Sequence, residues 1–350
     1  MKHNILIISI LALALTSCQY RRQQPSPSEA QAVAPRGVRL VGTNPVKDQG
    51  NSSLCWLYGM MSTIESEHIR QGDSVNLSTA YIARMMLGEK AVAYYLSRGT
   101  KPISMRGMAP MLIHYIYKYG AIPYDSYEDP KNINYQVLTR KVEYLCRNAI
   151  AQRVGLEKLR ERLDALFDQE MGYLPANTVH MLGAEYTPQE FAHSVCYPGE
   201  YVSFTSFTHH PFGQRFALEV PDNQDNDTFT NVPLEQLMGI IRKAVSHGYP
   251  VCWEGDISEP EFRQTKDGYV DLPSSSSPVT QLSRQQAFER LLSTDDHVME
   301  IIGMFRHGNH TYYVCRNSWG EQWQHKGHIY LSEDYLRLKT IAICLSKDAL

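Results

Sequence analysis

The sequence predicts an α+β protein, with a helical first part followed by a β-rich final third. Three observations predict it. Pro-poor apolar stretches at helical spacing recur between Leu54 and Ser246. From Pro250 the pattern changes to short β-branched and aromatic runs separated by turn residues. No segment repeats at a fixed period, which argues against a solenoid or propeller. A length of 350 residues suits one large domain, or one domain with an insertion.

The first 17 residues are expected to lie outside the fold. Lys2 gives a positive start, and Ile5 to Leu15 is an apolar run too short to span a bilayer. This reads as a signal peptide. Leu15-Thr16-Ser17-Cys18 resembles a bacterial lipobox, which implies cleavage before Cys18, lipid on the Cys18 thiol and export to a membrane face. A plain signal peptide cut nearby is the other reading. Residues 18–37, rich in Gln, Pro, Ser and Ala, read as a flexible tether, too short for a folded inhibitory pro-domain. Residues 38–350 are expected to be the folded domain.

Within that domain, helices are expected at Leu54–Ile69, Ser78–Leu87 and Met108–Lys118, the last stopping at Gly120. Val154–Glu170 combines apolar helical spacing with i,i+4 charge pairs. Pro188–Cys196 and Leu234–Ser246 are further helices, separated by a polar loop at residues 221–231. Strands are expected at Pro250–Asp256, His297–Phe305, Tyr312–Arg316, His328–Leu331 and Thr340–Leu345. Gly268 to Pro278 reads as an exposed loop.

Charge and cysteine usage narrow the function. The net charge of -3 comes with no basic block, so nucleic acid is not an expected partner. There are seven cysteines and no CxxC pair, which gives neither a redox motif nor a structural zinc site. Cys146, Cys196, Cys252, Cys315 and Cys344 sit in apolar or amphipathic contexts, as buried free thiols do. His209-His210 and His307 with His310 lack a third ligand at diagnostic spacing and read as surface residues. No metal and no cofactor is expected.

Three segments carry chemistry. The first runs from Pro45-Val46-Lys47-Asp48-Gln49-Gly50 to Cys55-Trp56. A thiol at a helix N-terminus gains from the dipole and unpaired N–H groups when it ionises. Its backbone N–H and an upstream amide, Gln49, are natural donors to an oxyanion. The second is Asp295-Asp296-His297 leading an apolar run to Gly303, and the third is Asn317-Ser318-Trp319-Gly320.

Together, in this order, the segments resemble the papain superfamily of cysteine peptidases. The resemblance implies a two-lobed fold, with a helical left lobe and an antiparallel, β-barrel-like right lobe. It implies that Cys55 is the nucleophile, His297 the base, Asn317 the group orienting the imidazole, Gln49 the oxyanion donor and Trp319 the shield over the His–Asn bond. The usual Cys-Gly-Ser-Cys-Trp is absent, since Ser52, Ser53 and Leu54 precede Cys55, so the family's neighbouring disulfide is missing. Ser52-Ser53-Leu54-Cys55-Trp56-Leu57 is closer to the bleomycin hydrolase and aminopeptidase C branch, whose members form hexamers.

Cys55 and His297 are 242 positions apart, against roughly 130–150 in papain-type enzymes. The surplus is expected as a helical insertion at about residues 130–235. The resemblance also suggests substrate contacts from Trp56, Arg106 and Gly107, and Asp296 as a group that tunes the base or touches substrate. The expected function is hydrolysis of peptides or proteins. In this branch the carboxyl terminus restricts the cleft; here only 33 residues follow Asn317, which predicts a more open cleft and leaves exopeptidase and endopeptidase action both possible. A papain-like cell-wall amidase and a catalytically silent peptide-binding lipoprotein are the competing readings.

Overall fold

A computed structural model of the chain describes residues 34–350, apart from 36, 132, 182, 260–261, 263–266 and 274–277. The expected signal peptide, Cys18 and most of the tether lie outside the described residues. Among the described residues no helix is long and apolar enough to cross a membrane.

Among the described residues, six α-helices form the first lobe: α1 (Cys55–Gln71), α2 (Thr79–Leu96), α3 (Ala109–Tyr119), α4 (Tyr135–Ala151), α5 (Leu156–Met171) and α6 (Pro188–Val195). Local chemistry sets their ends. The Ser78 side chain accepts the Tyr81 N–H at the start of α2, and Asn134 accepts the Val137 N–H at the start of α4. Thr187 and Glu190 form a reciprocal capping box on α6. Gly120 ends α3 at φ 83°, where a β-carbon would lie 2.4 Å from the Pro188 carbonyl carbon. Leu57, Ile64, Ile82, Leu87, Leu112, Leu138, Leu163 and Phe167 fill the core between these helices.

The second lobe is built on a mixed sheet of nine strands in the order β4-β5-β3-β11-β6-β8-β9-β10-β7. The strands are β3 (Tyr201–Thr205), β4 (Arg215–Ala217), β5 (Thr228–Asn231), β6 (Val251–Gly255), β7 (Tyr269–Val270), β8 (His297–His307), β9 (His310–Arg316), β10 (His328–Ser332) and β11 (Thr340–Ser346). A small hairpin, β1 (Val179–Met181) with β2 (Ala184–Tyr186), stands apart. Most neighbours are antiparallel, but β3 with β5 and β10 with β7 are parallel. β4 and β7 are the two edges, so the sheet is open rather than barrel-like. A second core joins the sheet to α7 (Leu234–Ser246) through Leu237, Ile241, Val251, Trp253, Ile301 and Leu331. α8 (Gln281–Glu289) and α9 (Glu333–Lys339) pack against each other in the same lobe.

The expected α+β, papain-like fold is therefore present, with four corrections of detail. α2 continues to Leu96, because Ala91 and Tyr94 also reach the core. Thr228–Asn231, expected as loop, is strand β5, and Tyr269–Val270 pairs with β10. Residues 130–235 hold α4 to α6 first, but from Tyr201 they enter the main sheet. The barrel-like description gives way to an open sheet.

Candidate active site

The two lobes meet where α1 lies across β8. Gly59, one turn into α1, makes this approach possible: a β-carbon there would sit 2.7 Å from Val298 Cγ1. The close fit brings the start of α1, with Cys55, beside the start of β8, with His297. Both line one cavity of about 1740 Å³, together with Gln49, Ser52, Arg106, Asp222, Asp296 and Trp319.

His297 is buried, and its Nε2 lies 2.8 Å from Asn317 Oδ1. An acceptor there fixes the tautomer, with Nε2 donating and Nδ1 left as the basic nitrogen. Asn317 Oδ1 also accepts the Ser318 N–H at 2.7 Å. The Trp319 ring packs 5.1 Å from the imidazole, centroid to centroid, and is itself packed edge-on by Trp323 at 4.8 Å. The sequence thus places an apolar cover over the His–Asn bond.

The Gln49 segment is zipped to the Asn317 segment. The Gln49 N–H donates to the Ser318 carbonyl at 2.8 Å, and the Gly320 N–H donates to the Lys47 carbonyl at 3.1 Å. The Ser318 hydroxyl donates to Gln49 Oε1 at 2.5 Å, and Gln49 Nε2 donates to the Ser52 carbonyl at 2.9 Å. The amide is thereby held with its NH₂ turned toward the Ser52–Cys55 loop. Lys47 ties the segment to α1, donating to the buried Glu65 Oε1 at 2.7 Å and to the Leu77 carbonyl at 2.8 Å.

Burial dominates the electrostatics. It pushes the Cys55 thiol up to about 12, aided by the negative charge of Asp222 and opposed by the Val298 and Trp56 backbone N–H groups. It pushes the His297 imidazole down to about 4, against the Asn317 hydrogen bond. Each shift is the cost of one charge alone out of water. The free site therefore favours the neutral thiol and imidazole, and proton transfer between them would create both charges together, each screening the other.

The other sequence candidates fall differently. Trp56 is fully buried, its indole N–H donating to the Met105 carbonyl at 2.9 Å. It is a core residue under Gly107, where a β-carbon would meet its ring at 2.9 Å. This corrects the expectation that Trp56 touches substrate, and Gly107 is likewise buried. Arg106 does face the cavity and pairs with Asp222 at 2.5 Å. Asp296 lines the cavity but accepts the Ile257 N–H at 2.9 Å, so it anchors a loop. Its carboxyl is pushed up to about 7 by burial.

Cys146, Cys196, Cys252, Cys315 and Cys344 are buried free thiols, as expected. His209 and His210 do meet a third group: their Nε2 atoms lie 3.2 and 2.6 Å from the carboxylate oxygens of Glu219. His307 packs on Tyr269 at the sheet edge. Asp222, Ser318 and Glu254 escaped the sequence reading. Ser318 sits inside a recognisable motif, whereas Asp222 lies in a polar stretch with no signal of its own.

A model of the Peptidase C1-like family matches residues 170–350, more than half of the chain and including His297 and Asn317. Aminopeptidase W of Lactobacillus delbrueckii subsp. lactis is 23% identical over 359 residues, covering 87% of this chain and 81% of that protein. The crystal structure of PepW from Lactobacillus rhamnosis HN001 superposes with a TM-score of 0.67 at 16% identity, covering 91% of this chain and 83% of that one.

Proposed function

The chain belongs to the Peptidase C1-like family and is a peptidase of the papain superfamily, in its bleomycin hydrolase-like branch, and from this we propose that it is a cysteine peptidase with Cys55 as nucleophile. The observation that supports this best is the His297–Asn317 bond, which reserves Nδ1 for a proton from Cys55 in the same cavity.

The proposed reaction draws on these groups in turn. His297 Nδ1 takes the Cys55 proton as the sulfur attacks the scissile carbonyl carbon. The Cys55 backbone N–H and Gln49 Nε2 receive the oxyanion. The tetrahedral intermediate collapses, His297 protonates the leaving amine, and an acyl thioester remains on Cys55. Water, deprotonated by His297, then attacks the thioester, releases the acid and restores the thiol. Trp319 keeps bulk water from the His297–Asn317 bond throughout.

The proposal extends to location and layout. Cys18 carries a lipid, the enzyme is exported and membrane-anchored, and α4 to α6 are the inserted helices; the sequence alone supports the first two. Assembly into an oligomer is proposed from the branch resemblance.

Iodoacetamide, a small thiol alkylator, tests the nucleophile. Cys55 is expected to be carboxamidomethylated well before the five buried thiols, and His297→Ala is expected to slow it about tenfold or more near neutral pH. A Cys55 no more reactive than Cys315, in a protein that cleaves no peptide, would overturn the proposal.

A further inference from the structure

The loop between β3 and β4 carries His209 and His210, and its backbone is fixed from beneath. Asn231, fully buried on β5, accepts the Phe207 N–H at 2.9 Å through Oδ1. Its Nδ2 donates to the Phe207 carbonyl at 2.7 Å and to the His210 carbonyl at 2.8 Å. Aromatic rings fix the imidazoles in turn. Phe216 stacks on His210 at 4.0 Å between centroids, and Phe288 lies nearly parallel to His209 at 5.6 Å. The two Nε2 atoms converge on Glu219, just past β4, at 3.2 and 2.6 Å from its carboxylate oxygens. None of these three residues lines the cavity of Cys55 and His297.

We propose that His209, His210 and Glu219 bind a divalent, zinc-like cation at a site separate from the catalytic pair. One ligand atom from each residue lies within 4.8 Å of the other two. A tetrahedral centre with bonds of about 2.0–2.2 Å needs them roughly 3.3–3.6 Å apart, and small side-chain rotations close that gap. Two imidazoles and a carboxylate are the donor set of zinc and its neighbours, whereas magnesium and calcium take oxygen ligands. The three side chains are 28%, 33% and 55% exposed, so a hydrated ion reaches them and keeps water in its fourth position. Exposed histidine–carboxylate contacts contribute little stability by themselves, yet a buried asparagine and two aromatic rings hold this loop in one shape. That pre-set shape lowers the ordering cost of binding.

The protons balance. His209 Nδ1 faces Gln285 Nε2 at 3.0 Å, so Nδ1 accepts and Nε2 carries the proton that points at Glu219. The cation displaces the proton from each Nε2, and the imidazoles stay neutral by taking a proton at Nδ1. The Gln285 amide then turns its oxygen to His209 Nδ1, as the orienting partner of a metal-bound histidine does. In the free state this amide serves the Thr208 N–H at 2.6 Å and Glu289 Oε1 at 2.9 Å; both residues are exposed, so these groups pass to water. No spacing rule announces the site. Glu219 stands ten and nine positions from the two histidines and meets them only because β4 turns back along β5. The expectation of no metal rested on a missing third ligand, which the fold supplies.

Calorimetric titration of ZnCl2 into the Cys55→Ala protein tests the site, since this background removes the catalytic thiol as a rival ligand. One zinc ion is expected to bind per chain. His210→Ala and Glu219→Ala, each added to that background, are expected to weaken binding about 100-fold or more. Zinc at about a hundredfold over Kd is expected to raise the melting temperature by about 3–4 °C, and to do so in neither added variant. X-ray absorption at the zinc edge reads the ligands with the three residues intact: nitrogen and oxygen at about 2.0–2.2 Å are expected, with no sulfur at about 2.3 Å. Binding that survives unchanged in His210→Ala and Glu219→Ala, sulfur in the zinc shell, or no binding at millimolar ZnCl2 would overturn the inference. The cysteine-peptidase reading is tested separately, on Cys55.

Discussion

Ser318 holds Gln49 from two directions, its hydroxyl donating to Gln49 Oε1 at 2.5 Å and its carbonyl accepting the Gln49 N–H at 2.8 Å. The oxyanion amide is thus aimed by the residue that follows Asn317. Removing the hydroxyl in Ser318→Ala leaves the backbone bond but frees the side chain to rotate. The expected result is a fall of about tenfold in kcat with KM changed far less, against about 10²- to 10³-fold for Gln49→Ala, which removes the donor itself. Steady-state kinetics on one fluorogenic peptide checks both; a Ser318→Ala enzyme with unchanged kcat would show that the amide needs no such aim.

Gly59 tests how close α1 must lie to β8. Alanine in a helix interior is favoured by about 1 kcal/mol over glycine, while overpacking a core contact costs about 1–3 kcal/mol. With Val298 Cγ1 2.7 Å from the added carbon, the contact must open. Gly59→Ala is expected to change the melting temperature by only a few degrees yet to lower kcat about tenfold or more, since Cys55 and His297 move apart with their elements. Wild-type kcat in this variant would show that the helix–strand spacing is not what sets the pair.

Glu254 carries the pH prediction. Burial pushes its carboxyl up to about 8, with Asp222, Asp295 and Asp227 adding to the effect and the Ala109 N–H, at 2.5 Å, opposing it. The folded value lies above the unfolded one, so the folded protein holds the extra proton between them. Its contribution to stability is complete below the unfolded carboxyl value and is lost as pH rises through about 8. Glu254→Gln keeps a carbonyl acceptor for Ala109 and cannot ionise. Its melting temperature is expected to gain on the parent steadily between pH 5 and pH 9. Because the Glu254 charge also raises the Cys55 thiol, the alkaline limb of Cys55 alkylation should move to lower pH in the variant. Parallel melting curves at both pH values would contradict this.

Glu300 and Arg316 form a buried cross-strand pair at 2.7 Å, directly before Asn317. Arg316 also donates to the Asn44 carbonyl at 2.7 Å, tying β9 to the segment that leads to Gln49. Arg316→Leu strands a carboxylate in the core and is expected to cost about 3–5 kcal/mol in urea unfolding, much of it recovered in the Glu300→Leu/Arg316→Leu double variant. A double variant no more stable than Arg316→Leu would show that the loss lies in the Asn44 contact instead.

Much of this was legible in the sequence, for identifiable reasons. α1, α3 and α5 to α7 have wide apolar faces and clear stops, and their expected ends differ from the structure by a residue or two. β6 and β8 to β11 are apolar runs buried on both faces, which need no partner to be recognised. β3 to β5 and β7 were not seen because they are short and stabilised by pairing: Thr228–Asn231 is a strand only because β3 and β4 flank it. The open sheet depends on which strands fail to meet, and no local pattern encodes that. Cys55, His297, Asn317 and Gln49 announce themselves through their flanks; Gln49, Cys55 and His297 line one cavity and Asn317 bonds His297. Asp222 does not, because its position depends on a loop folded around Asn223 and pinned 120 residues away at Ser104.

The most direct measurement is to trap the acyl-enzyme. The parent protein is mixed with an excess of an aminoacyl p-nitrophenyl ester, quenched in acid within one turnover, and weighed intact and after digestion. A mass increase of one acyl group is expected on Cys55, forming with the burst of nitrophenol and absent from Cys55→Ala. Nitrophenol release with no adduct on Cys55, at a rate that Cys55→Ala matches, would contradict it.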